Sequence, residues 1–324
     1  MKIGLLGTGF GATHAAIYHR HPDVDEVVVF GRTPAKLDTF AEKYGFTTTT
    51  DLDAVYADAS IDLIDVCLPT PLHAGHVLRA LDEGKDVLCE LPLAGTVAEA
   101  RQVVDAHATS RRQVFVDMFG RFDPATVLLR AAVADGRYGA LKALEIEGRS
   151  ALLWPGYHIG LDSIVLDMMH ASLDTIVITL GRPQHATAVG VAGASSGSMV
   201  EALLTYPDAI ARCTSSALMP ASYGMAGSYR ATFTDAVLEY AYTAGFTGQP
   251  DAPVLTEHTG QGRRQLESPA VDTYTAVINH VLDCLNGRAA NQLSPATVLN
   301  TLQLTLGVHR QLNAPAQPAT PNTA

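Results

Sequence analysis

The chain has 324 residues, of which 47% are hydrophobic and 17% charged. At roughly 100 to 200 residues per domain this favours two globular domains and argues against disorder. Its 22 Lys+Arg stand against 33 Asp+Glu for a formal charge of -11, which argues against nucleic acid or an anionic membrane as a partner, because nothing would neutralise a run of phosphates. The four cysteines, Cys67, Cys89, Cys213 and Cys284, have no C-x-x-C spacing. Neither a disulfide framework nor a zinc site is suggested, no metal is expected, and a reduced cytoplasm is the expected compartment. No stretch approaches about 18 uninterrupted apolar residues, so no transmembrane helix is expected.

In chain order, short apolar runs predict strands at Lys2 to Leu6, Glu26 to Phe30, Leu63 to Cys67, Asp86 to Cys89 and Val114 to Asp117. Amphipathic stretches between them predict helices at Ala12 to Tyr18, Pro34 to Tyr44, Leu72 to Glu83 and Thr96 to Thr109. Such alternation is the pattern of βαβ units around a doubly wound parallel sheet, an α/β fold. After Pro124 the pattern changes: a helix from Ala125 to Ala134, a strand from Leu141 to Glu147 and a long helix from about Ile164 to Leu180. Strands then follow one another at His185 to Val191, Met199 to Tyr206, Ala209 to Ser216, Tyr229 to Phe233 and Ala236 to Tyr242. Without intervening helices they imply antiparallel pairing, hence a second, α+β domain. Helices at about Val271 to Leu285 and Pro295 to Gln311 close the fold. The expected division is residues 1–121 for the first domain, 122–312 for the second, and a flexible Pro-containing tail over 313–324.

The segment Gly7-Thr8-Gly9-Phe10-Gly11-Ala12 lies between a predicted strand and a predicted helix and fits G-x-G-x-x-G/A through Gly7, Gly9 and Ala12. A tight turn, close backbone approach and a free helix N-terminus suit a pyrophosphate. At the tip of the second strand, where an NAD site places a carboxylate for the ribose hydroxyls, the chain reads Phe30-Gly31-Arg32-Thr33-Pro34-Ala35-Lys36. Arg32, Thr33 and Lys36 could hold a 2′-phosphate at a helix start. NADP(H) is therefore expected in preference to NAD(H), the alternative being Arg32 as a solvated turn residue stacked on adenine.

Three later motifs are more specific: Cys67-Leu68-Pro69-Thr70-Pro71-Leu72-His73, Glu90-Leu91-Pro92-Leu93-Ala94 and Gly120-Arg121-Phe122-Asp123-Pro124. In order and spacing they resemble the glucose-fructose oxidoreductase and inositol dehydrogenase (Gfo/Idh/MocA) family, from residue 1 to about 312, ending on Leu293-Ser294-Pro295-Ala296-Thr297 and its helix. The resemblance implies an N-terminal Rossmann domain, a C-terminal domain with an open, mainly antiparallel sheet that pairs subunits into dimers or tetramers, and hydride transfer at a carbon of a sugar, polyol or cyclitol. It also implies nucleotide contacts from Cys67, Leu68, Pro69, Thr70, Glu90 and the residue after it. That residue departs from the pattern: where the family reads Glu-Lys-Pro with a proton-transferring lysine, this chain has Leu91, which cannot transfer a proton.

The long helix departs as well. The family pattern is Asp, then His four residues on, then Asp three beyond; here Asp167 and Asp174 keep the interval, but position 171 is Ala171 and His170 comes one residue early. At about 100° per residue, His170 lies about 60° to one side of Asp167, within reach of the edge of a cleft. Asp167 and His170 are read as catalytic candidates and Asp174 as a substrate ligand, with a structural polar cluster as the alternative. In Trp154-Pro155-Gly156-Tyr157-His158, Trp154 could stack on a sugar ring while Tyr157 or His158 supplies the proton. Trp154 could equally anchor domain packing. His73 is expected in the first turn of a helix near the nicotinamide ribose, or is an ordinary helix-start histidine. The residues together suggest an NADP(H)-dependent oxidoreductase acting on a hydroxyl/carbonyl pair of a small molecule; a C=N or conjugated C=C reductase and an inactive nucleotide-binding regulator are the other readings.

Overall fold

The computed structural model describes residues 1–152, 158–194, 196–244 and 252–313. By internal contacts the chain forms two compact units, one of Met1–Val127 and Ala270–Gln303, the other of Leu128–Pro269 with the residues from Leu304 onward. Trp154, Tyr157 and the tail from 314 lie outside the described residues.

The first unit holds β1 (Lys2–Leu6), α1 (Gly11–Tyr18), β2 (Glu26–Phe30), α2 (Pro34–Tyr44), β3 (Thr47–Thr49), α3 (Leu52–Ala57), β4 (Leu63–Val66), α4 (His73–Asp82), β5 (Asp86–Cys89), α5 (Val97–Thr109) and β6 (Val114–Val116). The six strands pair in parallel in the order β3-β2-β1-β4-β5-β6. Covered on both faces by helices, their Leu, Ile and Val side chains are buried almost without interruption, as a parallel sheet requires. The order reverses between β1 and β4, the switch point where such sheets bind ligands beyond the strand C-termini. Local chemistry sets the helix ends: Pro34 opens α2, Gly45 closes it in the left-handed conformation at φ 70°, and Thr96 accepts the Glu99 N–H at 3.2 Å to start α5.

Two short segments extend the expectation. The Thr-only β3 and the α3 helix, capped by Asp51 accepting the Asp53 and Ala54 N–H groups, were not predicted. Far along the chain, α8 (Thr273–Leu285) and the start of α9 (Pro295–Asn313) belong to this unit. There the Val116 N–H donates to the Leu293 carbonyl at 2.8 Å, and the Asn291 amide to the Val114 carbonyl at 3.0 Å, closing the open edge of β6.

The second unit is built on an eight-stranded sheet in the order β14-β13-β12-β11-β7-β10-β9-β8. Its strands are β7 (Leu141–Ala151), β8 (His185–Ala192), β9 (Ser198–Thr205), β10 (Ile210–Met219), β11 (Met225–Phe233), β12 (Ala236–Ala244), β13 (Val254–Thr259) and β14 (Gly262–Leu266). Pairing is antiparallel throughout except that β7 and β10 run parallel. The α/β class and the mainly antiparallel second sheet thus agree with expectation; β13, β14 and the parallel pair are additions. Helix α6 (Pro124–Asp135) precedes the sheet, and α7 (His170–Leu180) follows one π-helical turn over Val165–Met169. No helix among the described residues is long and apolar enough to cross a membrane.

Candidate functional site

At the switch point the glycine loop is shaped for a ligand's backbone. Gly7 sits at φ 116°, and a Cβ there would stand 2.2 Å from the Cys67 carbonyl oxygen, so only glycine lets the loop lie against β4. A Cβ at Gly9 would meet nothing within 4 Å, which leaves the open approach a pyrophosphate needs. Gly11 packs a virtual Cβ 3.3 Å from Leu5, holding α1 close to the sheet. Thr8 is half-buried, while Phe10 and Ala12 are exposed at the N-terminus of α1, where the Ala12 N–H donates to the Gly9 carbonyl at 3.1 Å and the Thr13 N–H to the Phe10 carbonyl at 2.9 Å. Loop and helix start therefore fit a dinucleotide, with Gly7 through Ala12 as its cradle.

At the tip of β2, Gly31 is enclosed: a Cβ would lie 2.7 Å from Thr8 Cγ2 and 3.0 Å from Leu37 Cδ2. A carboxylate at this position would force those side chains to move. Just beyond, Arg32, Thr33 and Lys36 are exposed, and neither cation makes an ion pair among the described residues. Their charges are available to an anion.

The other expected nucleotide contacts gather at the ends of β4 and β5. Leu68 and Thr70 are half-buried, Pro69 is exposed, and Leu91, joined to Pro92 by a cis peptide, is half-buried. His73, the first residue of α4, is buried; its Nδ1 lies 2.8 Å from the Pro92 carbonyl and its Nε2 2.6 Å from the Leu68 carbonyl. The ring thereby ties the β4 loop to the β5 loop. Burial pushes its pKa down, and the two carbonyl acceptors partly restore it.

Beneath this loop cluster lies a polar group that the sequence reading missed. His14 of α1 is fully buried, with Nδ1 2.8 Å from Asp65 Oδ2 and Nε2 3.2 Å from Asp117 Oδ2 and 3.4 Å from Glu90 Oε1. Tyr18 donates to Asp65 at 2.8 Å, and the Cys67 thiol lies 3.4 Å from both Asp65 Oδ1 and His14 Nδ1. The Tyr274 ring stands 6.2 Å from the His14 ring. Burial works against a charge on His14, but Cys67, Asp65 and Asp117 together outweigh it and hold its pKa well above the usual value. Burial, reinforced by Asp117 and opposed by His14, pushes Glu90 up to about 7, and burial likewise raises Asp117. A signal was present in the sequence: Asp65 interrupts Leu63-Ile64-Asp65-Val66, a run that a parallel sheet buries on both faces.

His14, Cys67 and Glu90 also bring potential metal-ligand atoms within 4.8 Å of one another. They do not offer free lone pairs to a common point, because Asp65 already occupies the His14 nitrogen that faces Cys67, and burial holds the thiol neutral.

In the second unit the expected helix face is divided. The π turn over Val165–Met169 breaks the uniform α-helical spacing, since its hydrogen bonds span five residues rather than four. Asp167 is exposed, whereas His170 and Asp174 are only 1% and 2% exposed. His170 Nδ1 lies 2.8 Å from Thr305 Oγ1, inside the unit rather than at an edge. Partial desolvation of its carboxyl raises Asp167 above its ordinary pKa, with Ser163 opposing. His158 is exposed.

Comparison with known proteins finds these features of the first unit elsewhere. Residues 1–118 match the Gfo/Idh/MocA model, described as an oxidoreductase family with an NAD-binding Rossmann fold. An inositol 2-dehydrogenase of Rhizobium meliloti (strain 1021) is 32% identical over 150 residues, 46% of this chain and 45% of the relative. An inositol 2-dehydrogenase of Rubrobacter xylanophilus is 35% identical over 160 residues, 48% of this chain and 46% of that one. The chain thus spans about half the length of the curated relatives it matches. An oxidoreductase from Agrobacterium radiobacter, solved in complex with NAD+, L-tartaric acid and magnesium, shares the fold at TM-score 0.81 and 17% identity, over 97% of this chain and 96% of that one. Residues 1–118 are thus similar to the nucleotide-binding Rossmann domain of the Gfo/Idh/MocA oxidoreductase family.

Proposed function

We propose that the protein is an NADP(H)-dependent oxidoreductase interconverting a hydroxyl and a carbonyl on a sugar-, polyol- or cyclitol-like molecule. The observation carrying the nucleotide preference is the β2 tip, where Gly31 packs against the Thr8 and Leu37 side chains in place of the carboxylate of an NAD site and exposed Arg32, Thr33 and Lys36 follow. Gly7, Gly9 and Gly11 give the backbone its close approach, and the loop lies at the N-terminus of α1, whose dipole favours the pyrophosphate charge. Bound there, the nucleotide supplies hydride acceptance or donation. Leu68, Thr70 and Leu91 border the space beyond β4 and β5, and His73 holds the two loops at fixed separation. The names of the matched inositol dehydrogenases support the polyol class. Asp167, exposed ahead of α7, and exposed His158 are the second unit's candidate substrate contacts. Leu91 favours one second reading, reduction of a C=N or conjugated C=C bond, which depends less on a lysine. The exposed Val189, Val191, Leu203 and Ile210 of β8, β9 and β10 support that sheet as the surface of a homodimer or homotetramer.

Titrating NADP+ and NAD+ into the wild type and Arg32→Ala tests the proposal. NADP+ should bind the wild type at least about tenfold tighter, close to 1.4 kcal/mol, and the variant should lose that margin. Equal affinities in the wild type, or an unchanged NADP+ affinity in the variant, would refute it.

A further inference from the structure

We propose that Glu90 takes the place of the missing lysine as proton acceptor from the substrate hydroxyl, with His14 and Asp117 behind it as a buried relay that stores the proton. The inference rests on the oxidoreductase reading and assigns its acid–base chemistry.

Position is the first support. Glu90 directly follows β5 and precedes Leu91, and its Oε2 accepts the Leu91 N–H at 3.2 Å. The residue therefore stands beyond a strand C-terminus, beside the switch point where the nucleotide is expected. Accessibility is the second. His14, Asp65 and Asp117 are 0% exposed, whereas Glu90 is 8% exposed. Of these four ionisable groups, Glu90 alone reaches the surface, so it is the port through which this set exchanges a proton.

Geometry behind the port is the third. His14 Nε2, Glu90 Oε1 and both Asp117 carboxylate oxygens are buried and make no directional hydrogen bond, although they converge to 3.2 and 3.4 Å around Nε2. Three carboxylates, Asp65, Glu90 and Asp117, surround one imidazole, and full ionisation would leave an excess negative charge in the interior. Such a site keeps a proton. The remaining groups facing it do not supply the missing charge: Tyr18 on α1, Cys67 after β4 and Tyr274 on α8 are all held neutral, burial being the main cause in each. Asp65 fixes the ring through Nδ1, which leaves Nε2 to move the proton between Glu90 and Asp117. A Glu90 pKa of about 7 is suited to exchange near neutrality.

In the oxidation direction the substrate O–H bond breaks and its proton goes to a Glu90 oxygen. The carbinol hydrogen leaves as hydride, with its electron pair, to the oxidised nicotinamide nucleotide. The C=O bond forms, the alcohol is oxidised and the nucleotide is reduced. The proton is then held on the His14–Asp117 pair or returned to water through Glu90.

Two measurements on the full chain test this. Infrared difference spectra of the nucleotide-free protein should show a carboxylic-acid band that titrates away near about pH 7 and is missing in Glu90→Gln. With NADP+ and a panel of inositols and aldoses, Glu90→Gln should lower kcat/KM about 100-fold or more and abolish the pH limb near 7, while Glu90→Asp retains that limb. Both variants should still bind NADP+, so that the loss falls on kcat rather than on nucleotide capture. An infrared band or a pH limb that survives in Glu90→Gln would overturn the proposal, as would a stoichiometric metal ion in the purified protein. Absence of turnover across the panel would defeat the oxidoreductase reading and the catalytic role together, whereas turnover with an unaltered profile in Glu90→Gln would defeat this assignment alone.

Discussion

Replacing Glu90 with Gln should change how stability depends on pH, independently of any substrate. Burial first, and the Asp117 carboxylate second, raise the Glu90 carboxyl from 4.5 to about 7. A carboxyl that is harder to ionise in the folded chain costs nothing below its unfolded pKa and progressively removes stability as pH rises towards the folded value. At about 1.4 kcal/mol per unit, the full loss is on the order of 3 kcal/mol, complete by about pH 8. Glutamine keeps the shape and cannot ionise, so the wild type should lose roughly that much relative to the variant between about pH 5 and pH 8. His14 has the opposite chemistry, with a raised pKa whose stabilisation is present below about 6.5 and lost as pH climbs through the folded value. Asp65 and Asp117 hold it in both proteins, so its contribution largely cancels in the comparison. Urea unfolding at four pH values, followed by circular dichroism, measures the difference. Parallel stability curves for the wild type and variant would show that Glu90 is not held protonated by its surroundings.

Gly7→Ala should destabilise the first unit by about 2 to 4 kcal/mol, because its Cβ meets backbone rather than a movable side chain. Gly9→Ala should leave stability unchanged and weaken nucleotide binding. Thermal melting with nucleotide titration separates the two, and equal melting temperatures would contradict the geometry. His170→Ala should cost about 1 to 3 kcal/mol in urea unfolding, through loss of the buried bond to Thr305. Asp167→Asn on the surface should leave stability within about 0.5 kcal/mol and lower kcat/KM about tenfold or more.

The strands at Lys2–Leu6, Glu26–Phe30 and Asp86–Cys89 are readable in the sequence because a sheet buried on both faces writes itself as unbroken apolar residues. The glycine loop is readable because a close approach of backbones admits few other residues. By contrast β3 is three threonines pairing with β2 alone at the sheet edge, and β14 is the exposed run Gly-Arg-Arg-Gln-Leu, so neither carries an apolar signal. The π turn at Val165–Met169 defeats an angular argument that assumes one helical pitch, and with it the expectation that His170 reaches the edge of a cleft beside Asp167. The acid cluster escaped because its members come from α1, β4, β5 and β6, separated by up to 103 residues between His14 and Asp117 and joined only by the stacking of strands.

The return of Ala270–Gln303 to the first unit sets an order on the life of the chain. When the ribosome has finished the six parallel strands, β6 still lacks the Asn291 and Leu293 contacts that close its edge, and Arg121 lacks the Gln292 and Thr297 carbonyls and the Thr297 hydroxyl that hold its guanidinium. Tyr274, which packs on Phe10, His14 and Phe119, is also still to come. The nucleotide-binding unit therefore waits with an unpaired strand edge while some 140 intervening residues are made, at 5 to 20 residues per second a delay of roughly 10 to 30 seconds. A nascent chain in that interval is a substrate for chaperones and for edge-to-edge association, and a truncation before residue 270 would make the exposure permanent.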